Sequence, residues 1–186
     1  MLLTCNLRPL GNQVYLTEFV TPHTYLIEQL APSLQGVARE ETIWNCWDWV
    51  CRNIKYKSER GDVWHTPSEA MKMGKSDCEE EAFTLCSLLR AFGLSPDEVF
   101  VAVGTYGRFG DGHAWCVLLE DGKYWVLEAT LSAAPNTIPE QSYPYDAYIL
   151  FNDIQDTELK PGFIFSRANA KRKIREIEGF YGVKVG

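Results

Sequence analysis

Apolar residues recur along the first half of the chain at three- and four-residue steps, and the spacing becomes strand-like beyond about residue 98. The first pattern predicts helices over residues 22–31 and 38–54; in the second of these Ile43, Trp47, Val50, Cys51 and Ile54 form one core-facing stripe. Thr66-Pro67-Ser68-Glu69 reads as another helix start, with Thr as cap, Pro at the first helical position and Glu three residues after the cap; Gly74 should end it. The next helix opens inside SDCEEEAFTLCSLLRAFGL (residues 76–94). Asp77 or Ser76 can cap it, and Cys78, Ala82, Leu85, Cys86, Leu89 and Phe92 share a stripe. Gly93 closes it, with Pro96 beyond.

Strands are predicted at Glu98–Gly104 and, after the glycine-rich YGRFGDG, in HAWCVLLEDGKYWVLEAT. There Asp121-Gly122 is the dipeptide favoured in a two-residue hairpin turn. Tyr148–Ile154 and Phe163–Ser166 add possible strands, and Arg167–Glu178 a last helix. Helices first and then consecutive strands predict an α+β fold, with helices packed on an antiparallel sheet.

The hairpin carries a geometric expectation. If Asp121-Gly122 is the turn, Glu120 pairs with Lys123, and continuing the register sets Trp115 opposite Glu128 and His113 opposite Thr130. Alternation then puts His113, Trp115, Glu128 and Thr130 on one face and Cys116 on the other. His113 and Glu128 become diagonal neighbours, roughly 7–8 Å apart between their backbone positions, a gap that a long side chain bridges. A carboxylate on one imidazole nitrogen fixes the tautomer and stabilises the charged ring.

Such a pair lacks only a nucleophile, and Cys78 stands in the first turn of a predicted helix, where the macrodipole favours an anion. Three glutamates follow it directly, which would raise a thiol pKa. On a helix they leave the Cys78 direction at roughly 100°, 200° and 300°, so the expectation is that the acids face solvent, suit the dipole as first-turn charges, and leave the sulfur inward.

Composition narrows the picture. The chain has 186 residues, enough for one domain with a sizeable core, and 46% of them are hydrophobic. Its formal net charge of −7 argues against nucleic acid as a partner. Between Arg167 and Gly186, however, six basic residues face two glutamates, a charge run best read as a solvated helix face. No apolar run reaches the ~18 residues of a membrane span, and the N-terminus lacks the pattern of a signal peptide, so a cytoplasmic setting is expected. The six cysteines contain no C-x-x-C pair; five of them read as buried free thiols. With one His and one Cys 35 positions apart, a metal site is poorly supported, and no cofactor is expected.

Three segments resemble the transglutaminase-like superfamily, a branch of the papain-like thiol enzymes: WHTPSEAMKMGKSDCEEEAFTLCSLLRAFGL, DGHAWCVLL and YWVLEATL. The resemblance covers residues 64–131 of a single domain spanning 1–186; the flanks 1–60 and 140–186 match nothing recognisable. It implies a papain-like core in which a central helix bearing Cys78 packs on a sheet bearing His113 and Glu128. Cys78 would be the nucleophile, His113 the general base and acid, and Glu128 the orienting acid, where the family more often has Asp. Trp64 and Trp115 are candidates to flank the thiol or contact substrate or oxyanion, with packing as the equal alternative. The implied activity is acyl transfer on amide or peptide bonds through a thioester, with a peptide or protein as partner. Water as acceptor makes a cysteine peptidase or amidase, and an amine makes a transglutaminase. Two other readings compete: a catalytically idle binding module of the same fold, and a subunit docking through its basic terminal helix.

Overall fold

The computed structural model describes residues 4–5, 14–58, 63–107, 109–136, 138 and 145–159. The strand expected at 163–166 and the basic helix at 167–178 lie outside these residues. A short antiparallel pair, β1 (Thr4–Cys5) and β2 (Val14–Tyr15), leads through a 3-10 turn to α1 (Tyr25–Leu34) and α2 (Arg39–Asn53). α1 begins three residues later than the apolar pattern suggests. Thr24 has extended backbone, and both its N–H and its hydroxyl bond to the Thr21 carbonyl, so a turn occupies the positions before it.

α3 (Pro67–Met73) has the predicted capping box, with the Thr66 N–H donating to Glu69 Oε2 at 2.6 Å, and it ends at Gly74, whose φ is 64°. On either side of α3, β3 (Lys55–Tyr56) and β4 (Lys75–Ser76) pair in parallel. This pair fastens the end of α2 beside the start of α4 (Cys78–Ala91). Past α4 lies a five-stranded antiparallel sheet: β5 (Val99–Tyr106), β6 (Asp111–Glu120), β7 (Lys123–Leu127), β8 (Asp146–Phe151) and β9 (Asp156–Glu158), in the order β7-β6-β5-β8-β9.

The turn between β6 and β7 is the one expected: Asp121 and Gly122 both have positive φ, 51° and 74°. Glu120 pairs with Lys123 and the register runs on to Cys116 opposite Leu127. There the ladder stops, short of the predicted Trp115–Glu128 and His113–Thr130 pairs. Side chains take over the backbone groups that would have continued it. The Trp47 indole donates to the Glu128 carbonyl at 2.8 Å and the Cys51 thiol reaches it at 3.8 Å. The Thr130 N–H turns back to Glu128 Oε1 at 3.1 Å. Glu128 is therefore the first residue beyond β7.

One sheet face carries Val99, Val101, Val103, Ala114, Cys116 and Leu118 against α4; the other buries Phe100, Ala102, Trp115, Val117, Val126 and Leu150 in a smaller cluster. Gly104 sits at the register shift between β5 and β8, where a Cβ would lie 2.0 Å from the Asp146 carbonyl oxygen. No other residue permits that approach.

α4 departs from the expected amphipathic helix. Every residue from Cys78 to Leu89 is buried, because α1, α2 and α3 cover the sides that the sheet does not. Glu79, Glu80 and Glu81 are 4%, 2% and 0% exposed, so the acids expected to face solvent lie inside the protein. The angular argument fails for Glu79, whose carboxyl lies 3.0 Å from the Cys78 sulfur, and it did not anticipate helices on the far side.

A candidate thiol active site

Cys78 opens α4, and the pairing of β4 with β3 holds the residues just before it. Its sulfur meets the edge of β6 where β7 has ended and accepts the backbone N–H of Ala114, the residue after His113. The thiol itself donates to Glu79 Oε2 at 3.0 Å. Burial first, then the Glu79 carboxyl to which it is hydrogen-bonded, push the Cys78 thiol up, against a smaller opposing effect of the Ala114 N–H. The helix-terminus effect expected to favour a thiolate is thus outweighed.

The neighbouring acids are neutral as well. Burial, followed by contact with Asp77, raises Glu79 well above the carboxylate range and Glu80 up to about 10. Burial and the nearby Glu128 charge push Glu81 up to about 9. Neutral acids do not complement a macrodipole as charges do, so the expected dipole role is withdrawn. Glu80 instead accepts the His65 backbone N–H at 2.7 Å, tying the segment before α3 to α4.

His113 and Glu128 come together. Imidazole Nε2 lies 2.7 Å from Glu128 Oε2, with both side chains largely buried. The same Oε2 accepts the Tyr145 hydroxyl at 2.9 Å, and Oε1 accepts the Thr130 hydroxyl at 2.8 Å as well as its N–H. Burial alone would raise the Glu128 carboxyl, but the bond and charge of His113 and the Thr130 bonds overcome it and hold the group below its ordinary value. An ionised carboxylate only accepts, so Nε2 must carry the proton of this pair, and in the tautomer that leaves the ring uncharged the lone pair is on Nδ1.

Both candidate tryptophans are buried among other side chains. Trp64 is 1% exposed and packs edge-on between Phe19 and Phe83, at 5.2 and 5.1 Å between ring centroids. Trp115 is wholly buried on the far sheet face and stacks against the His113 ring at 5.9 Å, so it supports the imidazole from beneath. The sequence reading missed Glu79 as the thiol's partner, and it missed Tyr145, which precedes β8 in a stretch with no periodic signal. Cys46, Cys51, Cys86 and Cys116 are buried free thiols, as expected.

Comparison with known proteins places this arrangement in context. The family model described as the CEP76 peptidase-like domain matches residues 62–154, half of the chain. UPF0252 protein PH0672 from Pyrococcus horikoshii is 25% identical over 142 residues, covering 74% of this chain and 45% of that protein. Centrosomal protein of 76 kDa from Xenopus tropicalis is 43% identical over 54 residues, 29% of this chain and 8% of that one. The chain spans less than half the length of the curated relatives it matches. Among solved structures, LapG from Legionella pneumophila superimposes with a TM-score of 0.58 at 16% identity, over 80% of this chain and 86% of LapG. The likeness shows the fold: helices and an antiparallel sheet in a papain-like, cysteine-protease-like arrangement.

Proposed function

Since the chain belongs to the CEP76 peptidase-like domain family, we propose that it is a thiol-dependent hydrolase of peptide or amide bonds, working through Cys78, His113 and Glu128 in the manner of the transglutaminase-like enzymes. The observation that carries this reading is the Nε2–Oε2 contact of 2.7 Å on the residue next to the one whose N–H touches the Cys78 sulfur. With Nε2 committed to Glu128, Nδ1 is the nitrogen left to take the thiol proton.

In the proposed reaction the Sγ–H proton passes to His113 Nδ1 as sulfur attacks the carbonyl carbon, and Glu128 stabilises the imidazolium. The Cys78 backbone N–H, unbonded within the first turn of α4, faces the developing oxyanion. Collapse breaks the C–N bond, the imidazolium proton goes to the leaving amine, and a thioester remains. Water, deprotonated by the neutral ring, then releases the acid and restores the thiol. An amine in place of water would make the same site a transglutaminase; the peptidase-like family favours water. A peptide or protein substrate follows from the chemistry, and the free buried cysteines fit the reducing, cytoplasmic setting expected of the sequence.

Glu128→Gln tests the role of the acid. A Gln amide presents N–H donors to Nε2, which stabilises the wrong tautomer and offers no charge to the imidazolium. The expected result is a fall in kcat of about a hundredfold to ten-thousandfold on a peptide amide, with the fold intact by circular dichroism. A variant within twofold of the original would remove Glu128 from the mechanism.

One observation favours a second reading, an idle module that binds peptides without turning them over: the thiol donates a hydrogen bond to Glu79 at 3.0 Å. Absence of any acyl-enzyme with diverse peptide and glutamine substrates, together with measurable peptide binding, would decide for it.

A further inference from the structure

We propose that Tyr145 is a positioning residue of this site, fixing the Glu128 carboxylate so that Oε2 faces His113 Nε2. The proposal rests on the reading that His113 and Glu128 act as base and orienting acid. A carboxylate with one bond to imidazole could swing about its terminal torsion. Here both oxygens are doubly occupied: Oε1 accepts the Thr130 N–H at 3.1 Å and hydroxyl at 2.8 Å, and Oε2 accepts His113 at 2.7 Å and the Tyr145 hydroxyl at 2.9 Å. Each lone pair has one donor, so the plane of the carboxylate cannot turn without breaking bonds on both sides.

Tyr145 comes from outside the hairpin that carries the other two residues, and its ring is held as well. Its centroid lies 4.8 Å from Tyr106, 5.1 Å from Trp115 and 6.3 Å from His113. It reaches the site because β8 starts one residue later, pressed close on β5 where Gly104 has no side chain to block the Asp146 carbonyl. Burial first, and then the Glu128 charge, push the Tyr145 phenol up, so it stays a donor through the working pH range. The other titratable groups that act on Glu128 are Glu81 from α4, Cys51 from α2 and His113 from β6; Tyr106 from β5 acts on Tyr145.

The test is Tyr145→Phe, which keeps the ring and removes the donor. The Glu128 carboxyl is titrated by carbon NMR in the full chain, with its resonance assigned by Glu128→Gln. Loss of one donor to the ionised form should make Glu128 a weaker acid by roughly three- to tenfold. If the site turns over, kcat should fall about tenfold with KM within twofold, since ground-state binding is untouched. An unchanged Glu128 midpoint, with only the thermal midpoint lowered, would overturn the proposal and leave Tyr145 as packing. Should the variant not fold, the Tyr145 Cζ resonance of the unsubstituted protein must move as Glu128 protonates; a resonance that ignores that step likewise overturns it. Because the titration needs no substrate, absence of turnover would refute the enzymatic reading while the shifted midpoint still upheld the positioning contact.

Discussion

Replacing Cys78 with Ala should lower turnover by about four orders of magnitude or more and abolish modification by a thiol-directed electrophile. Among the cysteines whose burial is described, Cys78 is the most exposed, at 8%, whereas Cys46, Cys86 and Cys116 are at 0% and Cys51 at 2%. Mass mapping after labelling checks the result, and label persisting on another cysteine in the variant would displace Cys78 from the role. The rate of labelling against pH also separates the two readings of the site. A thiol that only meets Glu79 gains reactivity steadily into the alkaline range. One that passes its proton to His113 reacts near neutrality and levels off there, and Glu79→Gln should speed labelling at pH 7 in either case.

The second large effect concerns stability. Most domains gain stability between acid and neutral pH as paired carboxylates ionise. The α4 acids work the other way. Their folded pKa values lie above the ordinary 4.5, with Glu80 at about 10, Glu81 at about 9 and Glu79 well raised, so the folded state holds these protons more tightly than the unfolded chain does. Their stabilising contribution is complete below pH 4.5 and is lost progressively as pH rises through 9 to 10. Glu128, with its lowered value, contributes in the opposite sense: present above 4.5 and lost on further acidification. The urea midpoint should therefore fall clearly between pH 6 and pH 9.5, and Glu81→Gln, which removes an ionisable group that is 0% exposed, should flatten that fall by a few kcal/mol. A midpoint constant across that interval would show that the three acids are not held neutral.

The elements that sequence reasoning placed well are those with local causes. The capping box of α3, the glycine after α4 and the Asp-Gly turn are decided by a few adjacent residues, and each is where it was expected. The turn sets the register by counting, and the register brought His113 and Glu128 to one place. What escaped depends on partners distant in the chain. The burial of Glu79, Glu80 and Glu81 is imposed by α1, α2 and α3, which no angular projection of one helix contains. The early end of β7 comes from Trp47 and Cys51 on α2, about 80 positions away. Tyr145 reaches Glu128 because Gly104 lets another strand approach, a relation between two backbones with no pattern of its own. For the tryptophans the sequence left flanking the site and packing equally open, and both are buried against other rings.

α4 has no outer face, and that bears on how such a chain can diverge. An ordinary amphipathic helix turns one side to solvent, where substitutions are well tolerated. Here the residues that follow the cysteine are wedged among three helices and a sheet, so packing alone would preserve much of Glu79–Leu89 in a descendant that had abandoned catalysis. Loss of activity would leave its trace at Cys78 and at the His113 imidazole, the two groups for which packing has alternatives, long before it showed in the helix around them.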